Sequence, residues 1–161
     1  MKIRPATASD LAPIAAIHAE AFVRQERSSE WIECNYRAYP LKRIFVAEIA
    51  GQIVGYASWG EKSGFRKEAV LELEQIAVSR PHQGKGIGYM LILESLEAVK
   101  HAIGELGEQG AVVKSVLVTT GSNNEAQRLY NKAIGSQVVA KIPNLFSASA
   151  DEVILVAILD A

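Results

Sequence analysis

A short segment between residues 79 and 88 has the composition of an anion-binding loop. It joins a candidate strand to a candidate helix, contains three alternate glycines, and carries Arg80 and Lys85 with no acidic residue. Glycines let a backbone turn and approach a ligand closely, and the first N–H groups of a helix have no acceptor within it. A mere connecting turn accounts for one glycine but not for three in a basic, acid-free setting. The segment therefore predicts a phosphate or pyrophosphate site.

The spacing of these glycines excludes two common phosphate-binding motifs. A nucleotide-binding P-loop needs a glycine five residues before Gly-Lys and a Ser or Thr after it, whereas Ser79 and Gly86 occupy those places. The dinucleotide pattern Gly-x-Gly-x-x-Gly also fails, because Tyr89 and Leu91 stand where its last glycine is required. ATP bound in that way is excluded, and nicotinamide cofactors are disfavoured.

The elements that must position this loop alternate along the chain. Helical spacing of apolar residues predicts a helix that Ser9 and Asp10 can cap and that runs to about residue 22, and a polar helix near residues 29–39. Strands are predicted at 43–50 and 52–59, which form a hairpin, and at 71–78, 112–119, 136–141 and 152–159. Further helices are predicted from the last glycine of the loop to about Gly104 and at residues 124–133. The last strand is apolar throughout, as is typical of a central strand.

The strand at residues 71–78 changes its alternation in the middle. Its apolar residues fall on odd positions, 71 and 73, and then on even positions, 76 and 78. One extra residue near Glu74 or Gln75 would return them to a common face, and a β-bulge supplies such a residue. The alternative, a strand buried on both faces, would bury Gln75 among leucines. We therefore expect a bulge.

Composition and charge limit the class of protein. The 161 residues are 49% hydrophobic and 22% charged, which predicts one globular domain over residues 1–161. Seventeen basic and eighteen acidic side chains give a net charge of −1, so neither nucleic acid nor a membrane is an expected partner. The single Cys34 excludes an internal disulfide, and no His/Cys cluster predicts a metal. With no apolar leader or membrane-length run, we expect a cytoplasmic protein.

Two motifs resemble the GNAT N-acetyltransferase superfamily. The first is Gln83-x-x-Gly86-x-Gly88, which matches the family's acyl-CoA signature Gln/Arg-x-x-Gly-x-Gly/Ala between a strand and a helix. The second begins at Asn123 and matches Asn-x-x-Ala-x-x-Leu-Tyr up to Tyr130. The resemblance extends over nearly the whole chain and is strongest at residues 71–91 and 123–130.

The resemblance implies a fold and an acyl-CoA site. The implied fold is α/β in the α+β sense: a mixed, mostly antiparallel, twisted sheet of about seven strands flanked by about four helices, with a bulged, splayed strand that binds acyl-CoA. The loop amides would bind the CoA pyrophosphate, and the backbone of the strand end would pair with pantetheine. The implied acetyl-CoA-binding residues are Gln83, Gly84, Lys85, Gly86, Ile87 and Gly88 in the loop, Ile76, Ala77 and Val78 in the strand, and Asn123 and Tyr130.

The resemblance also implies the chemistry. In direct acetyl transfer to an amine, Tyr130, with an ordinary pKa of about 10, would protonate a CoA thiolate whose thiol has a pKa of about 8.5. A strand amide near residues 76–78 would stabilise the oxyanion. Glu72 and Glu74 are the candidate bases, directly or through water, with Glu72 preferred. The alternative, two solvated carboxylates on a strand face, stays open.

The acceptor is the least determined part of the prediction. Relatives carry Gly-Phe four residues beyond the tyrosine, but here Gly135 lies five beyond it and Ser136 replaces the Phe. The acceptor residues are expected at 22–39, 59–66 and 143–150, where both signs of charge occur. We expect an amine of a small molecule or amino-acid-like compound, and leave open a protein acceptor, a non-catalytic acyl-CoA sensor and a homodimer.

Overall fold

A computed structural model describes residues 1–106 and 110–159 of the chain. In this part of the chain it contains seven strands, four helices and two short 3-10 turns at Ala8–Asp10 and Arg80–His82. The strands are β1 (Lys2–Pro5), β2 (Lys42–Ile49), β3 (Gln52–Glu61), β4 (Glu68–Val78), β5 (Val112–Gly121), β6 (Gln137–Ser147) and β7 (Ala150–Ile158). The helices are α1 (Leu11–Ala21), α2 (Ser28–Arg37), α3 (Ile87–Leu106) and α4 (Ala126–Ile134).

The strands form one mixed sheet in the order β1-β2-β3-β4-β5-β7-β6. Pairing is antiparallel for β1 with β2, β2 with β3, β5 with β7 and β6 with β7. It is parallel for β4 with β5. The predicted α+β fold, with a mixed sheet and four helices, is therefore confirmed. None of the described helices is both long enough and apolar enough to cross a bilayer.

The chain divides into two compact units. The first unit consists of Met1–Gly60 and Gln75–Val99, and the second of Glu61–Glu74 and Lys100–Ala161. Strand β4 contributes its first seven residues to the second unit and Gln75–Val78 to the first. The first unit thus contains the glycine loop, and the second contains Glu72, Glu74, Asn123 and Tyr130.

In the first unit, α1 and α2 bury their apolar faces together with residues of the sheet. The core includes Ile14 and Ile17 of α1, Ile32 of α2, Val46 of β2 and Tyr56 of β3. The predicted apolar face of α1 is confirmed, and so is the hairpin of β2 and β3. Strand β1 was not predicted. It has only four residues and ends in proline, so it is too short to show the alternation of apolar and polar residues that indicates a strand.

Asp10 occupies the N-cap position of α1, as predicted, but its side chain does not cap the helix. Asp10 precedes α1 but makes no side-chain hydrogen bond to its first turn. Its carboxylate instead accepts hydrogen bonds from the Thr7 N–H at 2.7 Å and from the Arg4 guanidinium at 2.7 Å and 3.0 Å. A nearby guanidinium offers two parallel donors, so it outcompetes the single amides of the helix.

The expected bulge of β4 near Gln75 is confirmed by the pairing of β4 with β3. The Lys62 N–H donates to the Val70 carbonyl, and the Ser79 N–H donates to the Val54 carbonyl, so β4 has one more residue than β3 between these two bonds. After the bulge, Ala77 packs in the core with α1 and α2, whereas the side chain of Val78 lies with Leu91 of α3 beside Gly55. Gln75 tolerates burial because its amide has polar partners. A separate register shift of β4 against β5 occurs between Ala69 and Val70.

In the second unit, β7 lies between β5 and β6, which confirms the prediction of a central strand. Strand β6 lies at the edge of the sheet and continues to Ser147, six residues beyond the predicted end. Gly135 ends α4 with a φ of 68°, the left-handed conformation that commonly terminates helices. Gly135, which lies one position later than the glycine of the family pattern, therefore serves to end α4.

Candidate active site

The predicted anion-binding loop has backbone amides available at the start of α3. Met90 donates to the Gly86 carbonyl at 3.1 Å, so the N–H groups of Ile87 and Gly88 precede the helical ladder. Gly84 and Gly86 have φ values of 72° and 79°, where side chains are strained. A Cβ added at either would meet no atom within 4 Å, so the loop backbone is open to a ligand.

The side chains of the loop are tied back to the protein. Gln83 donates to the Val78 carbonyl at 2.8 Å, and Lys85 donates to the Pro81 carbonyl at 2.9 Å. Arg80 forms an ion pair with Glu20, whose carboxylate also accepts the Arg80 N–H at 3.2 Å. These contacts hold the loop against the end of β4 and leave its backbone amides as the groups best placed to bind an anion.

A glycine that we did not single out lies beneath the end of β4. A Cβ at Gly55 of β3 would stand 2.9 Å from the Ala77 carbonyl and 3.2 Å from the Val78 side chain. Ser79 donates its N–H to the Val54 carbonyl at 2.9 Å, which anchors the start of the loop. The backbone of Ile76, Ala77 and Val78 thus packs closely on β3. The close approach at Gly55 could not be predicted from the sequence, because a single glycine within a strand has several possible explanations.

In the second unit, Tyr130 belongs to a buried hydroxyl cluster. Its phenol hydrogen-bonds to Thr120, and burial raises the pKa of Tyr130 to about 12. Asn124 donates to the Thr120 hydroxyl at 2.7 Å and accepts the N–H of Ala126 at 2.9 Å, so it also organises the first turn of α4. Asn123, which matches the motif, is exposed in the preceding turn. The phenol therefore remains protonated over the whole physiological range.

Glu72 and Glu74 share one cation. The Lys62 ammonium lies 2.9 Å from Glu72 and 3.3 Å from Glu74, and the Glu72 hydrogen bond is the main reason that the pKa of Lys62 is raised. The Thr119 hydroxyl is 3.4 Å from Glu72. Both carboxylates are largely shielded, with side-chain exposures of 18% and 17%. Sequence reasoning missed Lys62 and Thr119, which are distant in the chain.

The structure does not bring the candidate bases and Tyr130 together. Thr119 and Thr120 are consecutive residues of β5, so their side chains point to opposite faces of the sheet. Glu72 is on the Thr119 side, and Tyr130 is on the Thr120 side. A proton accepted by Glu72 and a proton donated by Tyr130 would therefore move on opposite faces of β5.

The first unit contains a second polar cluster, which was not predicted. Gln75 of β4 contacts Tyr56, Trp31 and His18. His18 of α1 is fully buried. No group of three or more His, Cys, Asp or Glu side chains within residues 1–106 and 110–159 is arranged to hold a metal.

Comparisons with known proteins agree with this architecture. Residues 11–135 match the family described as "Acetyltransferase (GNAT) family". The chain is 29% identical to the L-amino acid N-acyltransferase MnaT of Escherichia coli K12, over 90% of this chain and 84% of that protein. It is 26% identical to yncA of Salmonella typhimurium, solved with its cofactor acetyl-CoA, with a TM-score of 0.74 over 100% and 95% of the two chains.

A more distant structure shares the fold. An aminoglycoside 6'-N-acetyltransferase complexed with coenzyme A is 13% identical, with a TM-score of 0.81 over 100% of this chain and 98% of that one. The family match covers most of the chain, including the glycine loop and the segment around Tyr130. The protein therefore belongs to the acetyltransferase (GNAT) family.

Proposed function

We propose that the protein is an N-acetyltransferase that transfers an acetyl group directly from acetyl-CoA to the primary amine of a small, amino-acid-like acceptor. The observation that carries the proposal is the junction of β4 and α3, where two glycines in the left-handed region precede a row of helix N-terminal amides. Such amides suit a pyrophosphate. The amino-acid acceptor is supported by the likeness to MnaT, an L-amino acid N-acyltransferase.

Acetyl-CoA would be held by the loop and by the end of β4. The backbone amides of Gln83, Gly84, Lys85, Gly86, Ile87 and Gly88 would bind the pyrophosphate, and Asn123 would contact CoA from the turn before α4. The backbone of Ile76, Ala77 and Val78 would pair with pantetheine as an added strand does. One of these strand amides would also donate to the thioester oxygen as it gains negative charge.

Tyr130 is the proposed general acid. Its phenol is buried and hydrogen-bonded to Thr120, and the raised pKa, about 12, keeps it protonated. When the amine attacks the thioester carbon and the C–S bond breaks, the departing thiolate would take the phenolic proton. A donor that stays protonated at neutral pH is available in every catalytic cycle.

Glu72 is the proposed base, acting through water on the acceptor ammonium. It has the closer contact with Lys62 and an additional contact with Thr119, so its carboxylate is held in one orientation. Glu74 is the weaker candidate because its contact with Lys62 is longer, 3.3 Å against 2.9 Å for Glu72. The same contacts also fit a purely structural ion cluster, and substitution separates the two roles.

The test is release of free CoA thiol from acetyl-CoA over a panel of amines that includes the L-amino acids. Thiol release that depends on an amine, with an acetylated product identified by mass, supports the proposal. Binding of acetyl-CoA without release for every amine would overturn it and favour a non-catalytic acyl-CoA sensor. Because Cys34 is exposed and reactive toward thiol reagents, the assay requires an enzyme-only blank.

A further inference from the structure

The polar cluster of the first unit centres on the side-chain amide of Gln75. Its oxygen lies 3.0 Å from the Tyr56 hydroxyl and 3.2 Å from the Trp31 indole nitrogen, both of which donate to it. Its nitrogen lies 3.3 Å from the Gln25 oxygen and 3.3 Å from the His18 Nε2. Because two donors point at the oxygen, the orientation of the amide is fixed.

The cluster contains no charged side chain. His18 is fully buried, and burial lowers its pKa, so the imidazole is neutral at physiological pH. Its Nε2 lies 3.0 Å from the Gln25 oxygen, and its Nδ1 lies 2.8 Å from the Ser28 hydroxyl. Tyr56 is also fully buried, and burial raises its pKa. The cluster is therefore a set of neutral donors and acceptors.

Two members of the cluster reach the surface. Trp31 is 48% exposed although its N–H is bonded inward, and Gln25 is exposed in the segment between α1 and α2. The indole thus presents an oriented aromatic face to solvent. Exposed aromatic residues that are held in place are typical of recognition surfaces.

The charged side chains around α2 are paired or balanced in sign. Arg27, which precedes the helix, pairs with Glu30, and Arg37 pairs with Glu33. Arg24 and Glu26, on either side of Gln25, add one charge of each sign. Such pairs produce little net field at a neighbouring site. Residues 22–39 carry both signs of charge, so the sequence alone does not indicate whether the acceptor is cationic or anionic. The pairing leaves the neutral groups as the determinants of recognition.

The position of Gln75 connects this surface with the reaction. Its neighbours Ile76, Ala77 and Val78 are the residues proposed to hold the thioester, and they belong to the same unit as α1 and α2. A group bound against Trp31 and Gln25 would therefore lie beside residues that contact the Gln75 side chain, and Gln75 immediately precedes the strand end proposed to hold acetyl-CoA. No other part of the proposed reaction uses these side chains.

We infer that Gln75, Gln25 and Trp31 are specificity-determining residues that recognise an uncharged, hydrogen-bonding side chain on the acceptor. This inference rests on the proposed function. The acceptor's polar group would bond to the exposed Gln25 amide, and its aliphatic part would pack on the indole of Trp31. A charged side chain that packed on this cluster would lose water without meeting a charged group of the cluster, which is unfavourable. Gln75 sets the orientation of the indole.

The first experiment compares acceptors under equal conditions. Thiol release is measured for the L-amino acids, with attention to the matched pairs glutamine and glutamate, and asparagine and aspartate. The best acceptor should have an uncharged side chain, and kcat/KM for the neutral member of each active pair should be at least about tenfold higher. A best acceptor with a charged side chain would overturn the inference. No transfer to any amine would instead overturn the proposed function.

The second experiment uses the best acceptor with Trp31→Phe and Gln25→Ala. Both sites are exposed, so folding should be retained, and the matched controls are Tyr39→Phe and Gln52→Ala, at exposed residues outside the cluster. KM for the acceptor should rise about tenfold in the cluster variants, with KM for acetyl-CoA unchanged. Acceptor KM values within about twofold of wild type would refute the assignment.

Tryptophan emission gives a direct reading of acceptor binding. The chain has two tryptophans, and Trp59 is buried with its N–H bonded to Ser95 at 2.8 Å. Acceptor added to the protein with CoA should change the emission of the wild type but not that of Trp31→Phe, in which only Trp59 emits. Equal changes in both proteins would place the acceptor elsewhere.

Discussion

At the scale of single residues, the two proposed catalytic groups are held by partners that are distant in the chain. Burial keeps the Tyr130 phenol protonated although its hydrogen bond to Thr120 acts in the opposite direction, while Lys62 and Thr119 hold Glu72 on the other face of β5. The two proposed proton transfers are therefore separated by a strand. This separation lets each group be substituted without disturbing the other.

Replacing Tyr130 by phenylalanine tests the proposed acid. Tyr130→Phe should reduce kcat about 100-fold, because general acid catalysis commonly contributes that much or more. The affinity for acetyl-CoA, measured by calorimetry, should change little. Tyr39→Phe, at an exposed tyrosine, is the control. Unchanged turnover in Tyr130→Phe would remove the phenol from the mechanism.

Paired substitutions of the two glutamates test the base. Glu72→Gln should lower kcat by at least about tenfold, and Glu74→Gln should lower it less, because only Glu72 has the Thr119 contact as well as the shorter contact to Lys62. KM for acetyl-CoA should be unchanged in both. Wild-type kcat in Glu72→Gln would leave the cluster with a structural role.

Residue types in local motifs could be recognised from sequence, but their partners could not. The glycine loop and Tyr130 stand in contiguous patterns that carry their own spacing. Lys62, Thr119 and Thr120 become relevant only when β4, β5 and the segment before β4 are placed beside one another. The partners of Gln75 could not be predicted for a related reason: its donors come from α2 and β3, which no local pattern contains.

At the scale of elements, the proposal assigns the recognition of acetyl-CoA to the junction of β4 and α3. Most helices and strands were predicted within a few residues, because apolar periodicity determines them. Strand β1 and the second half of β6 were missed, since both contain a proline that weakens a strand pattern. The bulge of β4 could be predicted because the break in its apolar alternation lies within the strand itself.

Two glycine substitutions separate backbone strain from ligand binding. Gly86 and Gly51 have nearly the same φ, 79° and 78°, and a Cβ at either would meet no atom within 4 Å. Alanine at each should cost about 1 kcal/mol of unfolding free energy. Only Gly86→Ala should weaken acetyl-CoA binding, by about tenfold or more in calorimetry. An equal loss in Gly51→Ala would indicate a global effect instead.

The link between β1 and the turn before α1 should make stability depend on pH. The Arg4 guanidinium holds the pKa of Asp10 well below its usual range. A lowered pKa stabilises the folded state above the ordinary carboxyl value of about 3.9, and this stabilisation is lost as pH falls towards the folded-state pKa. Asp10→Asn should therefore lower the unfolding free energy by about 2 kcal/mol at pH 7.

Urea unfolding of both proteins at pH 7 and pH 3 measures this effect. The difference between wild type and Asp10→Asn should shrink at the lower pH. Asp151→Asn is the control, because the exposed pair of Asp151 with Lys141 should contribute less. A difference that does not change with pH would contradict the role assigned to the Arg4 pair.

At the scale of the whole molecule, a net charge of −1 leaves no long-range attraction for an anion as highly charged as CoA. Binding must then depend on short-range contacts at the loop, where Lys85 and Arg80 are already engaged by Pro81 and Glu20. Hydrogen bonds from backbone amides are screened little by salt.

Acetyl-CoA affinity should consequently depend weakly on ionic strength. The dissociation constant, measured by calorimetry, should rise less than about fivefold between 50 mM and 500 mM salt. Lys85→Ala should leave this dependence nearly unchanged. A rise of tenfold or more, abolished by Lys85→Ala, would show that the lysine ammonium supplies the attraction after all.

The edge strand β6 has a consequence for how this protein behaves at high concentration. Nine of its eleven residues are exposed, including Val138, Val139 and Phe146, so it is a ready template for strand addition by another chain. Pro143 lacks an N–H group, and Asn144 has a φ of 55°, so the ladder is broken in its middle. This break confines any continuous pairing to residues 137–142, and it acts as a built-in safeguard against aggregation.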